Sequence, residues 1–339
     1  MVDFSRLLNT NLPPLPVEPA ALFQSLVRNP PLDGYLRSVQ SEVLQAWHQR
    51  RGERDPVIKM NTGSGKTVVG LLILQSLLNE GVGPAVYLCP NTQLVDQVIE
   101  QGRALGVKVL SVGAGEELPT EFVNREAILV TTFQKLFNGR SVFGAPGSAR
   151  SPVKLGAVLV DDAHSCLAIA RQTVTVKLPK SSGEYKRLAD LFLPAIKSQS
   201  EGKAAEIARG HPRAVAPVPY WAWSDAVEVV AGILATARDT EPLRFSWDLI
   251  KDDLKACHCH IAGDRIEITP YLVPIDTIPS FAKADRRYFL SATLVDDAVL
   301  MREFGVSESA VTNTIHPSLR GDIGERLILA PALNRSVPE

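Results

Sequence analysis

The segment Met60-Asn61-Thr62-Gly63-Ser64-Gly65-Lys66-Thr67 constrains this chain more than any other. It follows a short apolar run at 56–60 and opens an apolar stretch of helical length that reaches Asn79. Between a strand and a helix, such a loop is built for phosphate: glycines let backbone N–H groups converge on oxygen atoms, and the helix N-terminus adds positive potential. Thr62, Gly63, Ser64 and Gly65 are the expected cradle, Lys66 the counter-charge for β- and γ-phosphates, and Thr67 a hydroxyl ligand for Mg2+. Met60 stands where the usual pattern begins with glycine. The expected ligand is ATP with Mg2+. Upstream, Arg37 and Gln40 open a helical pattern at 38–50, and the Gln40 amide offers the donor and acceptor that an adenine edge requires.

Apolar runs at 85–89, 107–112, 127–131 and 157–160 alternate with helical periodicity, as at 93–105. Nearly continuous hydrophobicity in the short runs predicts strands covered on both faces, hence an α/β fold with a doubly wound parallel sheet. With 45% hydrophobic residues in 339, the chain can bury a large core. Its apolar stretches are too short for a membrane span, the start lacks a signal pattern, and four cysteines are too few for a disulfide scaffold. These features predict a cytoplasmic protein. A net charge of -1 requires any nucleic-acid contact to be local.

Leu159-Val160-Asp161-Asp162-Ala163-His164 ends an apolar run with paired carboxylates. Asp161 is expected to hold Mg2+ and Asp162 to orient the attacking water. Together with Pro90-Asn91-Thr92-Gln93, Thr131-Thr132-Phe133 and Ser291-Ala292-Thr293, this order of motifs resembles the DEAH-type helicases of superfamily 2, specifically their first RecA-like lobe. The resemblance implies Lys66, Asp161, Asp162 and His164 as catalytic residues. It implies Ser291 and Thr293 as coupling residues, and Asn91, Thr92, Gln93, Thr131 and Thr132 as contacts to a nucleic-acid backbone. The family usually carries Glu at the position of Asp162; the side chain here is one methylene shorter, which leaves two expectations, slower hydrolysis or a shifted strand end or water position that restores the geometry.

Between His164 and Ser291 lie 126 residues. That spacing resembles the XPD/DinG branch, whose helical arch is inserted there. Only Cys89 lies between the phosphate loop and the acidic motif, so an iron–sulfur cluster is not expected. The expected divisions are an N-terminal extension at 1–34, the first part of the lobe at 35–167, a mainly helical insertion at 168–250, completion of the lobe at 251–305, with the sheet pattern returning at 265–268 and 288–291, and a linker at 306–339. Cys257-His258-Cys259-His260 suggests zinc, but on a strand the cysteines and histidines face opposite ways. From 171 to 213, nine Lys or Arg against four Asp or Glu make a modest basic excess. Tyr220, Trp221 and Trp223 suit either base stacking or core packing.

A complete motor of this family needs a second RecA-like lobe to supply arginines to the γ-phosphate, and only 46 residues follow Thr293. The missing lobe is expected from the rest of a longer protein or from a partner subunit. The favoured reading is an ATP-dependent helicase lobe acting on nucleic acid, single-stranded DNA in particular, with no membrane partner and weak activity alone. The alternatives are a duplex-DNA translocase and a non-hydrolysing ATP-gated binding module.

Overall fold

The computed structural model describes residues 15–32, 34–113, 115–147, 150–241, 243–291 and 297–318. Thr293, Ala292 and the arginine-bearing segments around Arg320 and Arg326 lie outside the described residues.

Six strands form a parallel sheet in the order β1-β10-β5-β2-β4-β3. They are β1 (Val57–Lys59), β2 (Ala85–Cys89), β3 (Val109–Leu110), β4 (Ile128–Thr132), β5 (Ala157–Val160) and β10 (Arg286–Ser291). Their hydrophobic runs are continuous because alternate residues enter different cores. Val57, Val86, Leu88, Leu129, Val158, Val160 and Phe289 face one core, while Ile58, Tyr87, Cys89, Val130, Leu159 and Leu290 face the other.

The second core is closed by α1 (Pro19–Ser25), α2 (Ser38–Gln49), α3 (Lys66–Asn79) and α4 (Thr92–Leu105). Helix α3 is buried along nearly its whole apolar length, from Val68 to Leu77. Gly70 is the position where it meets the sheet: an added Cβ would lie 2.8 Å from Tyr87 and 3.1 Å from Leu159. On the other face, α5 (Thr120–Val123), α6 (Phe133–Leu136), α7 (Ala163–Val174), α12 (Pro279–Ala282), α13 (Ala298–Phe304) and α14 (Glu308–Thr312) contribute to the first core.

That first core continues without a break into the segment expected as the insertion. There α8 (Gly183–Gln199), α9 (Glu201–Ala208), α10 (Tyr220–Ala235) and α11 (Trp247–Ile250) surround a second sheet. Its strands are β6 (Val176–Pro179), β7 (Val215–Pro217), β8 (Cys257–Ala262) and β9 (Arg265–Pro270), antiparallel in the order β6-β9-β8-β7. This corrects the reading of 265–268 as a return to the parallel sheet: Ile266 and Ile268 pair with Leu178 and Val176 of β6 instead. The physical reason is alternation. Arg265 and Glu267 are solvated between buried Ile266 and Ile268, a pattern of one covered face rather than two. The expected strand at 288–291 does join the parallel sheet, between β1 and β5.

Two buried ion pairs fasten the sheet region. Arg287, 2% exposed, makes a bidentate pair with Asp55 at 2.6 and 2.9 Å. Glu303, also 2% exposed, accepts from Arg171 at 2.6 Å, Arg302 at 3.0 Å and the Val273 amide at 2.9 Å, so one carboxylate ties α7, α13 and the segment after β9 together.

Candidate functional site

All six parallel strands end on the same edge, and the predicted residues gather there. β1 leads through Met60 into the glycine loop. Gly63 and Gly65 both adopt φ +83, a left-handed backbone that a side chain would strain. Ser64 closes the turn by donating to the Asn61 carbonyl at 2.6 Å. Lys66 and Thr67 then begin α3, with Gly65 at its N-cap.

Arg37 and Gln40 lie against this loop. The Arg37 guanidinium donates to Gly63 O at 2.9 Å, while the Gln40 amide donates to Gly65 O at 3.4 Å and accepts from the Arg37 amide at 3.0 Å. The Gln40 amide sits so close to Gly65 that an added Cβ would lie 2.1 Å from its nitrogen. Gly65 is therefore required by its φ, while the Gln40 amide, the far end of a flexible side chain, can give way.

The acidic pair ends β5. Asp161 is 8% exposed and accepts a hydrogen bond from the Tyr87 phenol at 2.9 Å. Burial pushes its carboxyl above the usual range, opposed by the Tyr87 bond and the charge of Lys66. Asp162 has the left-handed backbone φ 48, ψ 67 and caps α7. Its carboxylate accepts from the Ser165 hydroxyl at 2.7 Å and the Ser165 amide at 3.4 Å. His164 Nδ1 lies 3.3 Å from Ser291 Oγ, joining the acidic segment to the end of β10. The Met60 amide in turn donates to Ser291 O at 3.1 Å, and Lys59 pairs with Asp297. Phosphate loop, acidic pair and the Ser291 strand thus form one bonded unit.

A cavity of about 880 Å³ is lined by Gln40, Thr62, Gly63, Gly65, Lys66, Thr67, Asp161 and Asp162, and extends between Pro30, Pro31 and Tyr35 on one side and α4 on the other. The Thr67 hydroxyl and Asp161 carboxylate provide the hard oxygen donors that Mg2+ takes. A buried carboxylate whose charge is penalised by burial fits a cation there, because the cation would offset that penalty.

The expected nucleic-acid residues occupy the same sheet edge, and the register Cys89↔Thr132 sets their two loops side by side. Asn91 caps α4 through the Leu94 amide at 2.9 Å, and Thr92 and Gln93 are exposed on its first turn. Thr132 is half-buried at the start of α6. Thr131 is 2% exposed, below the surface, with no hydrogen-bond partner for its hydroxyl.

Along β8, Cys257 and Cys259 are 1% exposed, while His258 and His260 are half-buried on the other face. Burial pushes the Cys257 thiol up to about 12 and raises Cys259 as well, which keeps both protonated. Trp223 stacks on Phe192 and donates to Leu254 O at 2.9 Å in the core, whereas Tyr220 and Trp221 are exposed.

Two participants escaped sequence reasoning. Ser165 carries no motif of its own. Tyr87 did leave a signal, since a tyrosine in a strand buried on both faces requires a partner for its hydroxyl.

Residues 33–196 match the family model described as "Type III restriction enzyme, res subunit". No curated protein matches the chain in sequence. Among solved structures, the chain is similar to Xpd4 from S. tokodaii at 12% identity, over 76% of this chain and 57% of that one, with a TM-score of 0.44. It is also similar to the RNA helicase Prp28 from Chaetomium thermophilum bound to ADP, at 24% identity over 41% of this chain and 35% of that one, TM-score 0.31. A DEAD box protein from Methanococcus jannaschii matches at 20% identity over 39% of this chain and 42% of that one, TM-score 0.25. The chain therefore spans little more than half the length of the first of these structures and less of the other two.

Proposed function

We propose that this chain carries a RecA-like lobe of the superfamily 2 helicases, binds ATP with Mg2+ in the 880 Å³ cavity and couples the nucleotide to a nucleic-acid strand, single-stranded DNA in particular. The observation that carries this reading is the convergence of Gln40, Lys66, Thr67, Asp161 and Asp162 on one cavity.

In this proposal the glycine-loop amides and Lys66 hold the β- and γ-phosphates, and the Gln40 amide turns from Gly65 O to the adenine edge. Thr67 and Asp161 hold the metal, with Tyr87 orienting the Asp161 carboxylate. A bound Mg2+ supplies charge neutralisation at the phosphate oxygens. Asp162 must release Ser165 before it can orient water, and the His164–Ser291 contact passes that change to β10. Asn91, Thr92, Gln93 and Thr132 present the strand-contacting surface, with Thr131 supporting it from beneath; Thr293 completes the coupling segment.

The insertion lies in sequence between the acidic pair and β10, which favours the XPD/DinG branch, and β6 through β9 mark its proposed extent. Productive hydrolysis is assigned to the assembly with a second RecA-like lobe. The tie between Asp162 and Ser165 favours one further reading, an ATP-gated binding module with little turnover. The likeness to a restriction-enzyme res subunit favours duplex-DNA translocation as another.

Binding of a fluorescent ATP analogue and steady-state turnover, with and without single-stranded DNA, test the proposal against Lys66→Ala. The expected result is Mg2+-dependent binding weakened about 100-fold by Lys66→Ala, with turnover by the isolated chain near background. Binding that ignores Lys66 would overturn the site, and vigorous DNA-stimulated turnover would overturn the need for a second lobe.

A further inference from the structure

The ring of Tyr87 is placed by packing, and packing does not need its hydroxyl. β2 is buried at every residue, and Tyr87 pairs with Val130 of β4 and Leu159 of β5. α3 makes room for the ring at Gly70, where an added Cβ would lie 2.8 Å from it. Phenylalanine would fill the same space with no polar atom to satisfy, whereas a buried hydroxyl without a partner is costly.

The hydroxyl finds its partners at the sheet edge. Asp161 stands two residues beyond Leu159, its amide still bonded to Leu88 O, so it returns to the face that Tyr87 occupies, about 6.6 Å nearer the edge. A side chain that leans along its strand spans that gap, and the phenol donates to the Asp161 carboxylate at 2.9 Å. Thr67 lies one turn before Gly70 on the same face of α3, and its side chain is hydrogen-bonded to the same phenol. Burial first, and the Asp161 charge after it, hold the phenol well above its ordinary range, so it keeps its proton and stays a donor. One buried hydroxyl thus joins the two side chains assigned to Mg2+, which arrive from different elements.

We infer that Tyr87 is a positioning residue that makes this site selective for Mg2+ over the larger Ca2+, by tying the Asp161 carboxylate to the Thr67 hydroxyl. The inference rests on the ATP and Mg2+ reading above and gives a function to a side chain that none of the sequence motifs contains. Mg2+ takes oxygen ligands at about 2.0–2.1 Å in near-ideal octahedral geometry, whereas Ca2+ takes them at about 2.3–2.6 Å in flexible arrangements, so holding two donors in one place favours the smaller ion. Groups that hydrogen-bond metal ligands tune metal affinity by about 10–100-fold. Without the phenol, carboxylate and hydroxyl are free to spread around Ca2+.

The test compares cations. The fluorescent ATP analogue is titrated onto the full chain in excess Mg2+, in excess Ca2+ and in EDTA, with the melting temperature recorded beside each. The wild type is expected to bind tightest in Mg2+. Tyr87→Phe is expected to weaken binding about tenfold in Mg2+, about twofold in Ca2+ and not at all in EDTA. Should Tyr87→Phe not fold, Tyr87→Met, which also lacks the hydroxyl and adapts to irregular core space, takes its place. A hydroxyl that only satisfies a buried carboxylate would shift the melting temperature and leave the ratio of Mg2+ to Ca2+ affinities at its wild-type value, and that result overturns the inference alone. A wild type that binds the analogue equally well with either cation does the same. A wild type whose binding ignores metal altogether, or is absent, overturns the ATP and Mg2+ reading together with the inference.

Discussion

The two sheets of this molecule bury their polar groups under different rules. At the edge of the parallel sheet, carboxylates, hydroxyls and an amide are brought within bonding distance of one another, and each is placed by a strand end or a helix start. In the antiparallel sheet of the insertion, burial simply alternates, with Cys257, Cys259, Ile266 and Ile268 inward and charged or histidine side chains outward. A parallel sheet points every strand terminus to one edge, so it concentrates backbone dipoles and loop ends in one place. The antiparallel sheet returns its strands on themselves and needs only a matching apolar face. Bonded polar groups collect on the first and packing suffices for the second.

The sharpest test of this contrast is to remove a charge from each region. Asp55→Ala leaves Arg287 at 3% side-chain exposure without its bidentate partner, and an isolated buried charge costs about 3–5 kcal/mol. Denaturant unfolding should show a loss of that order. Glu267→Ala, in β9 of the insertion, removes an exposed pair with Arg265 and should change stability by at most about 1 kcal/mol. Equal losses would break the contrast, because the second sheet would then also depend on specific polar pairing.

A smaller effect tests the chemistry of the edge itself. The Ser165 hydroxyl holds the Asp162 carboxylate at 2.7 Å, and one such bond contributes about 1 kcal/mol. Ser165→Ala should raise single-turnover hydrolysis of bound ATP about fivefold by freeing the carboxylate. Asp162→Glu should raise it by restoring reach beyond the cap. Unchanged rates in both variants would mean that the cap does not restrain Asp162.

The same contrast explains what the sequence reveals. The places of Thr62 to Thr67, Asp161, Asp162 and Ser291 at strand ends are legible because each follows a short, continuously apolar run, whichever helices surround it. Gln40 was expected at an adenine edge, and its contact with Gly65 O carries no local signal in the sequence. The β6–β9 sheet was not legible. Val176 and Leu178 pair with β9 residues some ninety positions later, and nothing local distinguishes those short alternating runs from loops or from edge strands of the main sheet.

Titration offers the gentlest probe of the packed region. His258 has an imidazole held below its ordinary value of 6.5, first by burial, then by the charges of His260 and Arg171, with the Tyr271 ring packed against it. Its Nδ1 is buried without a hydrogen-bond partner. A depressed histidine favours the neutral form in the folded state, so the stability tied to it is complete above the unfolded value. That stability is lost as pH falls through 6.5 toward the folded value. The melting temperature of His258→Phe should therefore fall less than that of the wild type between about pH 7.5 and 5.5, by about 1–2 °C because the group is partly solvated. Parallel pH profiles would assign acid sensitivity to other groups and leave β8 without an electrostatic constraint. A flatter profile for the variant, with the ATP analogue bound as tightly at both pH values, would confine the acid-sensitive packing to the insertion and separate it from the nucleotide edge.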